Sequence, residues 1–521
     1  MAAAMTPTNA ASVAQAAAPG ASWSADARLR VVLIIAVATA LKIAVCPLVG
    51  LDTNEAYAIA SGRLMSLSYF DHPPLHFWLA HLCELIFGDN TSARVPFILL
   101  GAGTSWLMFS LTRQLFGERA GVWATLALNL SVFFDLVSGN WILPDGPLNF
   151  FLLATALALV PMVKDGSLGY RGWIAAGLFA GLAALSKYHA FLFMAGLLGF
   201  LLADPVRRRL LLTPGPWLAS LCALALFSPV LIWNASNNWV SFLFQGGRAA
   251  PHHHLGWGLF LSLLAAQLAV LLPGALFALI GGIRQAFSER TISQRFLLWL
   301  GIPIVGLFTF VPLLSDNGMM HWAMPGWLML MPLAGKYLAD KSRIEIWPAR
   351  FMISAATIFL LLTVGAALEF QTGWLGAEFP RLFKRGDPTA LSASWSTLSS
   401  ALGGSYNGDA GRRFVLTSGW REASKIDEGA GGKYRVLVAS SDPRNFAVGL
   451  DLASLRGRDG WVVLQMPVSQ KISAPILGCF AQTRYAFSRV IARNERPDAT
   501  LAVFRADEFH PERCDIPAFS R

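Results

Sequence analysis

Apolar residues in this chain fall in long blocks rather than in alternating patterns, and those blocks set its organisation. Runs near 30–49, 94–112, 120–138, 147–163, 172–186, 189–203, 216–233, 257–282, 296–314, 322–339 and 351–369 each approach or reach membrane-crossing length. About 20 apolar residues span the hydrocarbon layer, so the pattern predicts a bundle of about 11–13 transmembrane helices. The fifth and sixth runs are short and joined only by Ser186-Lys187-Tyr188. Beyond about residue 370 charges rise and Gly, Ser and Asp punctuate the chain. Arg413–Leu416, Tyr434–Val438 and Gly460–Leu464 there read as short strands, with a helix near 420–427 between them. That succession predicts a small α/β domain. The expected fold class is therefore a polytopic α-helical membrane protein with a C-terminal extracytoplasmic α/β domain. The expected divisions are a disordered cytoplasmic tail over 1–27, a membrane domain over 28–369 with its first outward loop at 50–93, and the α/β domain over 370–521.

Composition supports this reading. The chain is 55% hydrophobic and only 14% charged, against about 25% charged in soluble domains. Its net charge of +10 does not indicate nucleic-acid binding, because the basic residues gather in loops on one side. Arg28, Arg30, Arg113, Arg119, Lys164, Arg171, Arg207–Arg209, Arg284, Arg290, Arg295, Lys336, Lys341, Arg343 and Arg350 mark that side as cytoplasmic by the positive-inside rule. The opposite loops keep little beyond Arg63, Arg94, Lys187 and Arg248. Lys42, inside the first run, is expected to snorkel outward or to pair with a loop carboxylate. Cys46, Cys83 and Cys222 read as packing residues. Cys479 and Cys514 lie in the polar C-terminal region, where an extracytoplasmic location would permit a disulfide.

The chemistry gathers on the cation-poor, outward side. The first outward loop holds Asp52, Asn54, Glu55, Tyr57, Asp71 and His72. Within it, Ala56–Ala60 and Leu75–Ala80 read as amphipathic helices on the membrane, the second started by Pro73-Pro74. Asp145 follows in Pro144-Asp145-Gly146-Pro147, Lys187 and Tyr188 sit at the next outward turn, and Arg248, His252–His254 and His321 occupy later outward loops. Ionisable residues held beside a bilayer are functional-site candidates by default. Carboxylates beside cations suit transfer from a lipid-linked phosphate, whose charge Lys or Arg would hold. A divalent metal is left open, with Glu55, Asp71, Asp145 and His252 as candidate ligands.

Asn54-Glu55-Ala56-Tyr57, Asp71-His72-Pro73-Pro74-Leu75, Pro144-Asp145-Gly146-Pro147 and Ser186-Lys187-Tyr188 together resemble the dolichyl-phosphate-mannose protein mannosyltransferase superfamily, including its bacterial aminoarabinose lipid A transferases. The resemblance covers about residues 30–340. It implies a C-type membrane glycosyltransferase in a bacterial inner membrane, taking a sugar from a polyprenyl-phosphate carrier on the periplasmic face. A cell-envelope lipid such as lipid A, another glycan or a protein would accept the sugar, and the enzyme would act as a monomer. It also implies catalytic roles for Asp52, Asn54, Glu55 and Asp145, donor-phosphate binding by Lys187, Tyr188 and Arg248, and loop-ordering or acceptor contacts for Asp71, His72 and Tyr57, with His321 as a further candidate. Where the family pattern carries Asp-Glu, this chain has Asn54-Glu55. The alternatives are accordingly a catalytically altered homologue and a lipid or sugar transporter or flippase.

Overall fold

In the computed structural model, residues 24–88, 91–248, 255–379, 381, 387–404 and 413–514 are described. His252–His254 and nearly all of the N-terminal tail lie outside them. Among the described residues sixteen α-helices precede the C-terminal domain: α1 (Ala25–Val45), α2 (Thr53–Gly62), α3 (Leu75–Phe87), α4 (Val95–Phe116), α5 (Glu118–Asn129), α6 (Asp145–Ala158), α7 (Val160–Asp165), α8 (Tyr170–Ser186), α9 (Ala190–Ala203), α10 (Pro214–Ser236), α11 (Val240–Gly247), α12 (Trp257–Leu271), α13 (Leu276–Glu289), α14 (Ile292–Leu314), α15 (Met324–Lys341) and α16 (Trp347–Thr372). Among the described residues six segments are long and apolar enough to cross a membrane: Ala25–Leu48, Ser92–Phe116, Asp145–Asp165, Pro214–Ser236, Ile292–Leu314 and Trp347–Thr372. Leu75–Phe87, Ala190–Ala203 and Trp257–Leu271 are shorter apolar helices. Helix α15 runs through the middle, buried along most of its length among α5, α13 and α14. By contrast α16 turns Ile353, Leu361 and Leu368 outward, as a lipid-facing helix must.

Two expected spans are interrupted. The run 120–138 is α-helical only to Asn129 and continues as a π-helix over Val132–Val137. The run 257–282 breaks at Leu272–Gly274 into α12 and α13. Pro273 has no N–H to give the helix, and Gly274 follows it, so the backbone ladder stops there. Backbone freed inside a membrane domain must find partners. Here the two breaks satisfy each other: Val132 N–H donates to the Leu272 carbonyl at 3.4 Å, Gly274 N–H to that of Leu130 at 3.3 Å, and the Ser131 hydroxyl to that of Val270 at 2.9 Å. Lys42 does not snorkel. Its Nζ lies 2.6 Å from Asp135 Oδ1 on the π-helix, and both side chains are buried.

The segment 50–93, the expected first outward loop, is helical as anticipated, but its two helices differ. Helix α3 exposes Leu82, Leu85, Ile86 and Phe87, an apolar edge suited to the membrane interface. Helix α2 is buried almost throughout, because the C-terminal domain covers it. Gly62 permits the close approach of α2 to α3, since a Cβ there would meet the Phe77 carbonyl oxygen at 2.7 Å.

The C-terminal domain carries one five-stranded sheet of order β2-β1-β3-β5-β4, with β1 (Phe414–Thr417), β2 (Arg435–Val438), β3 (Gly460–Met466), β4 (Phe480–Arg493) and β5 (Arg496–Phe509). β1 pairs in parallel with β2 and β3, whereas β5 is antiparallel to β3 and β4. Cys479 and Cys514 are disulfide-bonded. Arg493, at the end of β4, ties this sheet to the end of α16. It donates to the Glu369 and Phe370 carbonyls at 3.3 and 3.2 Å, to Asp387 at 2.6 Å and to Asp498 at 2.7 Å.

Candidate active site

Position in the site begins with Asp52, which caps α2. Its Oδ1 accepts the Asn54 and Glu55 N–H groups at 2.7 and 2.9 Å, and its Oδ2 accepts the Asn54 side-chain amide at 3.2 Å. Glu55 completes the capping box by accepting the Asp52 N–H at 3.1 Å. Burial and the neighbouring Glu55 charge push the Asp52 carboxyl above its ordinary range. Asn54 is exposed.

Glu55 itself is spent on the scaffold. Arg94 grips it with Nε–Oε1 at 2.7 Å and Nη2–Oε2 at 2.5 Å, and Glu55 Oε1 also accepts the Ile142 N–H at 3.1 Å. Arg94 further donates to the Cys46, Val49 and Gly50 carbonyls. Both charges are fully buried. This node joins the end of α1, the start of α2 and the loop that delivers Asp145 three residues after Ile142.

Asp145 opens α6, and Lys187 follows the last residue of α8. Lys187 Nζ lies 2.9 Å from both Asp145 oxygens, with each side chain only 3% exposed. Around the pair stand His72, His76, His189 and His321, within electrostatic reach of it. Burial, reinforced by the Lys187 charge, holds His72 well below the usual imidazole range and His321 at about 4. Both rings are therefore neutral near pH 7 and offer one donor and one acceptor nitrogen each. Tyr188 shares a 2.7 Å hydrogen bond with Ser241 on α11.

Asp71 links this region to the C-terminal domain. Its Oδ1 accepts from the Tyr57 hydroxyl at 3.0 Å and its Oδ2 from Arg444 Nη1 at 3.0 Å, while its carbonyl accepts from Gln245. Burial and the Asp71 charge push the Tyr57 phenol well above its ordinary value. The Arg444 guanidinium carbon lies 3.9 Å from the Trp420 ring centroid. Asn445 Oδ1 accepts the Phe70 N–H at 2.7 Å, and Lys425 donates to the Leu51 carbonyl at 2.9 Å. Arg248, at the end of α11, lies 4.8 Å from the Trp322 ring centroid and touches Met319 Sδ at 3.6 Å.

The structure thus brings Asp145, Lys187, His72 and His321 together, with Arg248 and the Asp71–Tyr57 pair at the edge. Asp52 and Asn54 stand one layer away, joined through Glu55 and Ile142. Among the described residues no three His, Cys, Asp or Glu side chains converge as a metal site. His252 lies outside those residues, and Glu55, Asp71 and Asp145 are engaged by Arg94, Arg444 and Lys187. Sequence reasoning missed Arg94, His76, His189 and Arg444.

Arg63 also pairs with Glu84 and with Asp427 of the C-terminal domain, where Glu428 lies nearby. Burial and crowding by Glu84 and Glu428 outweigh the pull of Arg63 and push the Asp427 carboxyl up to about 6. The folded chain therefore binds this proton more tightly than the unfolded chain. Its stabilising contribution is present below the ordinary value of 3.8 and is lost as pH rises to about 6. About two pKa units correspond to about 3 kcal/mol. Thermal unfolding between pH 4 and 6 is expected to show that loss in the wild type, and Asp427→Asn is expected to remove this component.

Residues 71–233 match the family model described as dolichyl-phosphate-mannose-protein mannosyltransferase. Three of the four motifs noted above fall inside that segment; Asn54–Tyr57 precedes it. An undecaprenyl phosphate-alpha-4-amino-4-deoxy-L-arabinose arabinosyl transferase 2 of Pseudomonas fluorescens (strain Pf0-1) is 26% identical over 308 residues, 55% of this chain and 53% of that relative. The transferase of the same description from Pseudomonas aeruginosa (strain UCBPP-PA14), without the number, is 30% identical over 307 residues, 54% of this chain and 52% of that relative. The chain thus spans about half the length of the curated relatives it matches. Crystal structures of ArnT from Cupriavidus metallidurans share the fold at 16% identity, covering 92% of this chain and 98% of theirs. The TM-scores are 0.62 for the apo state and 0.64 for the form bound to undecaprenyl phosphate. The resemblance read from the motifs is borne out, and so is the expected fold class in its mostly helical membrane body, here with six candidate spans, and its C-terminal sheet domain.

Proposed function

We propose that this chain is a membrane glycosyltransferase that moves a sugar from a polyprenyl-phosphate carrier to a cell-envelope acceptor on the periplasmic side of the bacterial inner membrane. The observation that carries the reading is the buried Asp145–Lys187 pair, set among neutral imidazoles and close to Arg248 at the outward helix ends. In the reaction the bond from the anomeric carbon to the carrier phosphate breaks and an acceptor oxygen bonds to that carbon. Negative charge grows on the departing phosphate. Lys187 and Arg248 stabilise it electrostatically, in a site where water is scarce. Asp145 holds Lys187 in place and keeps it charged, and His72 and His321 hydrogen-bond without adding charge. Where the acceptor is a hydroxyl, its proton goes to a carboxylate, and Asp145 is the one at this centre, since Asp52 stands a layer away with both oxygens engaged in capping α2; a phosphate acceptor needs no such base. Asn54 then shapes the Asp52 side chain rather than acting as base. The relatives' named sugar, 4-amino-4-deoxy-L-arabinose, is the first donor to try, and lipid A, another glycan or a protein are the acceptor classes.

Mass spectrometry of envelope lipids and glycoproteins from cells with and without the gene tests this reading. A pentose-, hexose- or uronate-sized increment is expected to vanish without it. Identical envelope profiles would overturn the assignment.

A further inference from the structure

Arg444 is held by an unusual set of contacts. Its backbone adopts φ +48°, in the left-handed region that costs a non-glycine residue energy. Its guanidinium carbon lies 3.9 Å from the Trp420 ring centroid, and also 5.7 Å from the ring centroids of Tyr57 and Phe244. Asp71 takes one of its amines at 3.0 Å. Its Nε is buried and donates to nothing, with Asp442 the nearest carboxylate at 3.6 Å. Buried donors without an acceptor are rare in native proteins and call for an explanation.

The neighbourhood supplies one. The Arg248 guanidinium also lies 5.7 Å from the Phe244 ring centroid, so one aromatic ring serves both arginines. Arg248 has no carboxylate partner within 4 Å among the described residues. His72, which feels both arginine charges, has a buried Nδ1 that likewise has no partner. Three polar groups from two domains therefore lie within electrostatic reach of one another with hydrogen-bonding capacity unspent; the carboxylates that act on the arginines are those of Asp71 and Asp442, and Asp145 acts on His72. Desolvation together with the Arg444 charge makes Arg248 a less comfortable cation than usual. An anion between the two would relieve that repulsion.

We propose that Arg444 of the C-terminal domain and Arg248 of the membrane domain jointly bind the phosphate group of a membrane lipid, with His72 donating or accepting a third hydrogen bond. The C-terminal domain is then a part of the binding site and not only a cover over it. Guanidinium groups suit this task because their forked donors match phosphate oxygens. The proposal rests on the function proposed above and adds to it the residue that the second domain contributes. Two lipids bring such a phosphate to this face: the sugar carrier and a phosphorylated acceptor.

The test uses the full-length protein in nanodiscs and measures the dissociation constants of two probes. One is undecaprenyl phosphate, and the other is a bisphosphorylated tetraacyl glucosamine disaccharide. Arg444→Gln and Arg248→Gln are each expected to weaken one probe about 10- to 100-fold, and the affected probe names the source of the phosphate. Arg444→Lys, which keeps the charge and loses the fork, is expected to fall between wild type and Arg444→Gln. Asp71→Asn separates binding from mere latching. Removing a carboxylate beside the anion is expected to tighten binding, whereas a simple Arg444–Asp71 latch would be broken equally by either change. Wild-type affinity in Arg444→Gln overturns the proposal, as does equal weakening in Arg444→Gln and Asp71→Asn. Loss of affinity in Arg248→Gln with none in Arg444→Gln overturns it and leaves the proposed function standing. Failure of the wild type to bind either lipid overturns both.

Discussion

Lys187→Met is expected to abolish sugar transfer and to destabilise the membrane domain by about 3–5 kcal/mol. The stability loss follows from burial. Lys187 and Asp145 meet at 2.9 Å through both carboxylate oxygens, and both are buried. Deleting one member of a buried pair leaves the other charge without water or partner, which is costlier than never having had the pair. The activity loss has a separate origin. A positioned cation opposite a developing phosphate charge contributes about 10²–10³-fold in rate, and the Asp145 carboxylate left behind adds repulsion. Asp145→Asn separates the two effects, since a Lys187 amine deprived of the carboxylate can shed its proton and still hydrogen-bond to the neutral amide, leaving no bare buried charge. Its stability is expected to exceed that of Lys187→Met while transfer remains strongly reduced, because Lys187 is no longer kept charged. Thermal unfolding in detergent and the envelope increment in complemented cells measure both quantities.

Arg94→Met is expected to have the largest structural effect of any single change in the first outward loop. Arg94 makes hydrogen bonds to both Glu55 oxygens and to three backbone carbonyls, all from a buried position. Methionine fills much of the volume and satisfies none of these acceptors. Buried acceptors left bare cost about 1–3 kcal/mol each, and more for the charged Glu55. The loss is thus expected to exceed about 5 kcal/mol, enough to prevent accumulation of folded protein. Glu55→Gln should be milder, because an amide oxygen still accepts from Ile142 or Asp52. Protein levels in membranes and protease resistance of the α2 segment check this ordering. Equal accumulation of Arg94→Met and wild type would remove Glu55–Arg94 as the scaffold of the loop.

Much of this architecture was legible in the residues, and the exceptions have physical reasons. Long apolar blocks announce helices because a bilayer leaves backbone polar groups no other partner. The break at Pro273-Gly274 was also written in the chain, but continuous hydrophobicity on both sides hid it. Strands β1 to β3 were visible as apolar segments in a polar region. The β4–β5 hairpin was not, since Arg484, Arg489, Arg493 and Arg496 interrupt any apolar run. Its turn at Asn494-Glu495, where φ is +44° and +67°, is the local signal that would have found it.

The candidate site was legible in its motifs and not in its partners. Asp145 and Lys187 lie 42 residues apart and meet only in three dimensions. One available signal went unused. Outward loops shed cations, so the four retained there each deserved a partner. Three of them, Arg63, Arg94 and Lys187, engage carboxylates, and Arg248 is set beside aromatic rings. Arg444 carried no such signal, because its partner Asp71 is 373 residues away and belongs to the other domain.

The most direct measurement is the pool of sugar-loaded polyprenyl phosphate in cells whose only copy of the gene encodes Lys187→Met. That donor is expected to accumulate while the envelope product disappears, although the variant is present in the membrane. A product increment undiminished from wild type, with no build-up of loaded carrier, would contradict the assignment of chemistry to the Asp145–Lys187 centre.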